Sequence, residues 1–484
     1  MAIHSATAAE TGKSDPIITR LASEDKTRWF RKPNLRLLYL MLFPTCMGIE
    51  LTSGFDSQMI NALQIVPYWK LYFGDAEGNI NSSLKGIIAA AYSLGAILSL
   101  PFVPIINDKF GRRWSIFGGS AVMCLGAIIQ GFAQHEAMYI IARMILGFGI
   151  PTCIVSGSSL IGELAYPKER AVLTSLFNVS YFIGSIVAAA ICFGTNNIKS
   201  NWAWRIPSLL QICPSLLQMS FVLFLPESPR WLITKDRMEE AEAILIKYHA
   251  EGDTESEFVK AEMAQMHTTI GLELEASKRS WIDLFATSGM RRRLLITSFL
   301  GLFTQWSGNT LISYYLGDLL KMIGFEDSTY IQKINVSMSC WQLFCGVLVA
   351  LLVLKNPHTD YILAYMVEVW PYAERSRGIA VFQLFGRLAG FFTTFVNPIG
   401  LDHAGWKYLI SYCCWLAFEV CFVYFLFPET FGRTLEELAF IFEDKHLADQ
   451  AVKAVEKVVH HEVVAVDGEG KASGDGGEVR KEVV

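Results

Sequence analysis

The chain has 484 residues, 52% of them apolar and only 18% charged, with a net charge of −5 and a mean hydropathy of +0.34. A soluble domain usually carries about a quarter charged residues, and apolar runs long enough to cross a bilayer recur along this sequence. That excludes an ordinary soluble domain and makes the lipid bilayer the first expected partner.

In chain order, residues 1–34 form a polar tail with no short apolar core, so no cleavable signal is expected there. The first span is predicted over about Leu35–Asp56, behind Arg28, Arg31, Lys32 and Arg36, which places the N-terminus in the cytosol. After a wet loop, Val66–Ser82, the second span covers about Leu84–Ile106 and runs into a tight basic turn, Asn107-Asp-Lys-Phe-Gly-Arg-Arg113. Spans three to six are predicted over about Ser115–Ala133, Met138–Ile161, Val172–Gly194 and Arg205–Leu225. Basic and weakly basic loops alternate, giving residues 35–225 six helices with both ends inside.

Residues 226–293 are charged, with apolar residues at helical spacing (Met238, Ala241, Ile244, Leu245), and read as amphipathic helices on the cytosolic face. A shorter second half, 294–442, carries spans at about Leu294–Leu320, Ile331–Leu354, Gly378–Gly400 and Tyr408–Phe427. Residues 443–484, rich in Glu, Lys, Gly and Val, read as a disordered cytosolic tail.

The halves echo each other. Pro226-Glu-Ser returns as Pro428-Glu-Thr, and Glu163-(x6)-Arg170 returns as Glu368-(x6)-Arg375. Internal duplication is a signature of many secondary transporters. The echoes lie 202 and 205 residues apart, whereas the first and seventh spans start about 259 apart by this register. The second half is therefore short by about two helices, near Lys355–Asp360 and the apolar stub Tyr361–Tyr372. The expected fold class is all-α, a polytopic membrane protein with about ten full spans plus a partial one.

Asn107–Arg113, Arg143 after Ala142, Pro226–Leu232, Gln305-Trp-Ser-Gly-Asn309 with Tyr314-Tyr315, and Pro428-Glu-Thr430 together resemble the sugar-porter branch of the major facilitator superfamily. The Gln-Trp-Ser-Gly-Asn segment is most similar to fungal lactose-, cellobiose- and hexose-type permeases. The resemblance implies two helical bundles around a midplane sugar site, alternating access, and proton symport in some members. It also implies a monomer in the plasma membrane. The chain departs from the family pattern at Pro104, at Asn178 (where a Gln is usual) and at Thr304-Gln305 (where a Gln pair is usual).

Asp56 is an ionisable group inside a span, which is costly and usually marks a cavity or a partner. The resemblance makes it the proton-coupling carboxylate, with Arg143 as its ion-pair partner. The bland alternative is that Asp56 merely ends the helix at the outer surface. Sugars need paired donors and acceptors plus flat apolar faces. The resemblance assigns that role to Gln305, Asn309, Tyr314 and Tyr315, with Asn178, Asn335 and Asn397 as further candidates. Helical spacing puts Gln305, Asn309 and Ser313 on one face; polar packing between helices would use the same residues. Arg387 and Glu419 are read as structural, and Glu50 is left without a role.

Asp108, Arg112, Glu163, Arg170, Glu227, Arg230, Glu368 and Arg375 resemble the family's cytosolic gating network, although solvated helix ends carry such charges anyway. All ten cysteines fall inside apolar segments with no Cys/His ligand spacing, so neither a disulfide framework nor a metal site is expected. The sequence also leads us to expect no cofactor, no enzymatic activity and no nucleic-acid partner. The function classes left open are a sugar transporter, an exporter of another small metabolite, and a sugar sensor or inactive shortened form that does not transport.

Overall fold

A computed structural model describes residues 21, 25, 27–75, 77–277, 281–325, 327–355, 370 and 375–427, and among these every regular element is helical. α1 spans Pro33–Leu63. Its first position is a proline, whose missing N–H costs nothing at a helix start. Pro44 then removes a donor further along, and the ladder widens into a π-helical stretch at Phe43–Met47.

α2 (Ser82–Ser99) starts on Asn81, whose side chain accepts from the Ser83 N–H, and stops before Pro101. α3 (Phe102–Gly131) completes the second predicted span and turns sharply at Gly111, where φ is +83°. The turn needs glycine twice over: the backbone is left-handed, and a Cβ there would stand 2.6 Å from the Glu227 carboxylate. α4 is Glu136–Leu164 and α5 is Arg170–Thr195. The sixth predicted span is two helices, α6 (Trp202–Leu210) and α7 (Ile212–Val222), meeting at Gln211. Pro214 has no N–H to give the Leu210 carbonyl, and the ladder breaks there.

The linker forms α8 (Pro229–Thr234), α9 (Met238–His249) and α10 (Glu257–Ser277), which share a small core including Leu232, Leu245, Val259 and Met266. Beyond it come α11 (Ser288–Trp306), α12 (Asn309–Met322), α13 (Ser328–Lys355), α14 (Arg375–Ala404) and α15 (Tyr408–Leu426). α11 and α12 divide the seventh predicted span at Gly308, where φ is +95°. Among the described residues, six helical stretches are long and apolar enough to cross a membrane, and the divided helices are not among them. Glu368, the stub apart from Trp370, Pro428–Thr434 and the tail 443–484 lie outside the described residues.

Close crossings knit the first half together. A Cβ on Gly54 would stand 1.9 Å from the Tyr181 carbonyl oxygen, and one on Gly184 would stand 2.0 Å from that of Leu51. Gly95 and Gly147 make the same reciprocal pair between α2 and α4. Bare backbones at these four points let α1 pack on α5, and α2 on α4, without intervening side chains.

Candidate functional site

Asp56 lies deep in the first half, 1% exposed, and takes a two-pronged ion pair from Arg143 of α4, itself 0% exposed. Both oxygens accept from the guanidinium at 3.1 Å. Gln211, at the α6–α7 break, donates a further hydrogen bond to Asp56 Oδ1 at 2.9 Å. The guanidinium also stands 5.8 Å from the centre of the Tyr92 ring. A buried charge is tolerated only when paired and hydrogen-bonded, and this one has a planar partner matched to it. The bland reading of Asp56 as a surface helix end is overturned by its burial.

The next residue, Ser57, accepts from the phenol of Tyr314 on α12 at 3.3 Å, so the second half reaches the residue beside the charge pair. Gln58 and Asn61 donate to Asn335 Oδ1 on α13 at 2.6 and 3.0 Å, and Gln332 donates to the Ala62 carbonyl at 2.9 Å. Lys85 of α2 pairs with Asp318 of α12. These links join the halves at the end away from the linker, called here the far end. A cavity of about 1230 Å³ at that end is bordered by Lys70, Lys85, Glu136, Asp318, Lys321 and His403, and takes in none of the predicted sugar-contact residues.

Those residues are spread out. Gln305 accepts from Thr310, and Asn309 accepts from Ser313, each at 3.3 Å. The single helical face predicted for Gln305, Asn309 and Ser313 does not exist, because Gly308 breaks the helix between the first two. Tyr315 donates to the Thr394 carbonyl, and Asn397 accepts from Tyr408 and Tyr412. Asn178 is exposed on α5. Tyr314 and Asn335 are thus brought to the first half, while Gln305, Asn309 and Asn397 are engaged within the second.

At the linker end, Arg112 pairs with Glu163 at 3.2 Å, and Ser228 donates to the other Glu163 oxygen. Glu227 accepts from the backbone N–H groups of Arg112 and Arg113 at 2.9–3.3 Å, so the Pro-Glu-Ser motif caps the Gly111 turn. Burial raises the Glu227 carboxyl above the ordinary glutamate value, against the pull of those N–H groups. Arg170 donates to the Ala165 carbonyl at 3.5 Å, and Arg230 lies in its electrostatic reach. Asp108 is exposed and receives the Trp231 indole N–H on its backbone oxygen, so its carboxylate is not shown on Arg112. Glu368 and the side chain of Arg375 lie outside the described residues.

Sequence reasoning passed over Gln211 and Gln218. Gln218 donates to Thr52 and accepts from Ser120, each at 2.8 Å. Their spacing of two helical turns inside an apolar span was the available signal. Glu419, read as structural, accepts from Ser307 at 2.9 Å. Glu50 and Arg387 face one another electrostatically across the halves.

The profile of the family described as Sugar (and other) transporter matches residues 41–355 and 359–442. Its interruption falls where the repeat offsets place the missing segment. A high-affinity glucose transporter of Kluyveromyces lactis is 25% identical over 87% of this chain and 88% of its own length. The hexose transporter HXT13 of Saccharomyces cerevisiae is 26% identical over 84% and 83%. An MFS-type transporter of Aspergillus cristatus, criB, is 25% identical over 75% and 85%. Among solved structures, the inward-open xylose transporter XylE of E. coli superimposes with a TM-score of 0.67 at 20% identity, over 84% of this chain and 100% of that one.

Proposed function

This chain belongs to the sugar transporter family, and we propose that it carries a mono- or disaccharide across the plasma membrane by alternating access, in symport with protons. The observation that supports coupling most directly is the buried Asp56–Arg143 pair, held by Gln211 and one residue away from the Ser57–Tyr314 link between the halves. Protonating Asp56 removes the charge that Arg143 is matched to, and the neighbouring interhalf contact then feels the change. Gln305, Asn309, Tyr314, Tyr315, Asn178, Asn335 and Asn397 supply amides and phenols for sugar hydroxyls.

In this reading the links at the far end close the outer mouth, and the sugar path is open to the cytosol. Asp108, Arg112, Glu163, Arg170, Glu227, Arg230, Glu368 and Arg375 form the cytosolic gate of the opposite state. Ten spans, cytosolic termini and a monomer complete the proposal.

Labelled-sugar uptake and proton flux in proteoliposomes test it. Asp56→Asn is expected to retain exchange of sugar for sugar but to lose pH-driven accumulation; undiminished proton uptake by this variant sinks the coupling role. The break in the family match at residues 356–358 favours a second reading, a sensor or inactive form that does not transport. Sugar binding without accumulation by the unaltered chain would decide for it.

A further inference from the structure

The linker is fastened to the first half by a histidine. His249 ends α9, is 4% exposed, and holds its ring between two acceptors. Nδ1 lies 2.8 Å from Glu262 Oε2 on α10, and Nε2 lies 3.3 Å from the carbonyl oxygen of Leu164, the last residue of α4. A neutral imidazole carries one N–H and can serve only one of these acceptors, whereas the imidazolium serves both. The carboxylate and the negative end of α4 both favour the cation.

The other groups around the ring are known. Tyr166 meets it edge-on with centroids 5.5 Å apart, and Phe258 lies 6.3 Å away. Arg170, at the start of α5, opposes the charge from one side, and itself faces Glu262, Arg230 and Glu163. Behind Tyr166 lie Lys32, over its ring, and Asp25, which accepts from its hydroxyl. Two residues past His249, Glu251 accepts the first N–H groups of α1, from Asn34 and Leu35, at 3.1 and 3.0 Å.

We propose that His249 is a proton-operated clasp, which docks the linker helices on the first half when charged and lets them go when neutral. Burial works against the charged ring, but Glu262 and the Leu164 carbonyl outweigh it, so docked His249 titrates above the ordinary histidine value. The sign follows. Docking is fully supported below the undocked value of about 6.5 and is lost as pH rises through the docked one. On the topology proposed above, the clasp reads cytosolic pH, although the clasp itself does not require proton-coupled transport.

Hydrogen exchange of the amides in α9 and of Asn34–Leu35, in the full chain in nanodiscs between pH 6 and 9, tests it after correction for the intrinsic rate. In the unaltered protein, protection should fall with rising pH, by at most about tenfold per unit between the two titration points. His249→Gln should flatten the profile, and Glu262→Gln should move the fall to lower pH. The unaltered chain needs no substitution to fold, so a flat profile there overturns the proposal. A pH-dependent profile that His249→Gln leaves unchanged overturns it too.

Discussion

The two ends of the molecule are held by different kinds of contact. At the far end the halves meet through neutral amides and a phenol, with the single ion pair Lys85–Asp318 among the links described. Several amide atoms there, Asn61 Oδ1, Gln332 Oε1 and Asn335 Nδ2, are buried with no partner. At the linker end the contacts are charged and none of those described runs half to half: Glu227 joins the linker to the first half, Arg112–Glu163 lies within the first half, and His249–Glu262 lies within the linker. An unsatisfied buried polar atom costs about 1–3 kcal/mol. The far-end closure is therefore shallow and easily exchanged for water, whereas charge pairs and close glycine crossings keep the first half a single body. Reversible contacts join the halves, and durable ones hold the first half together.

Four variants, from the largest effect to the smallest, would break or sharpen that contrast. Arg143→Ala strands Asp56 as a buried unpaired charge within the durable half. It should cost about 3–5 kcal/mol, read as a large drop in thermal stability together with lost transport. Gly86→Val acts on the far-end seam, where even a Cβ would stand 2.4 Å from the Phe395 carbonyl oxygen of the other half. Overpacking costs about 1–3 kcal/mol and should be relieved by the halves parting. Spin labels at the far ends of α2 and α14 should then report a longer distance; an unchanged distance would mean that the seam is as rigid as the first half.

Glu227→Gln weakens the charge-assisted cap on the Gly111 turn and should cost about 1–2 kcal/mol, seen in denaturant unfolding without change in the far-end distance. Gln58→Leu and Asn61→Leu with Asn335→Leu removes both sides of the amide seal and should be close to neutral in stability. Its effect should appear instead as a longer-lived closed far end in the same label measurement. If that triple change destabilises as much as Arg143→Ala, the seal is not shallow and the comparison fails.

What could be read from the sequence depended on how local the cause was. Asp56 was legible because a charge inside an apolar run must find a partner; the resemblance named Arg143, and their pairing across α1 and α4 carries that expectation into space. Glu163 was marked by its echo at Glu368, but its pairing with Arg112 was not legible, because the basic turn that carries Arg112 has no echo in the second half. Gln211 was not legible either, because its reach to Asp56 depends on the α6–α7 break, which Pro214 sets through a hydrogen bond it cannot make. The common face of Gln305 and Asn309 failed for a related reason: uninterrupted periodicity was assumed across Gly308, whose left-handed backbone resets the rotation. Asp108 and Arg112 belong to the same network by resemblance, yet past the kink at Gly111 the arginine pairs with Glu163. The Asn335 cluster depends on contact between halves 270 or more residues apart, beyond any local pattern.

The break at Gly308 also has a mechanical meaning. α12 has a second break at Tyr315 (φ −129°, ψ 25°), beyond the pivot where the chain has no Cβ to resist it. Tyr314 stands about 9 Å from that pivot at the usual helical rise, so a turn of about twenty degrees there moves it by about 3 Å, more than a hydrogen bond tolerates. Tyr314 rides on the segment between the two breaks, and Asp318 rides beyond the second. The phenol link and the ion pair therefore hang on successive joints of one helix.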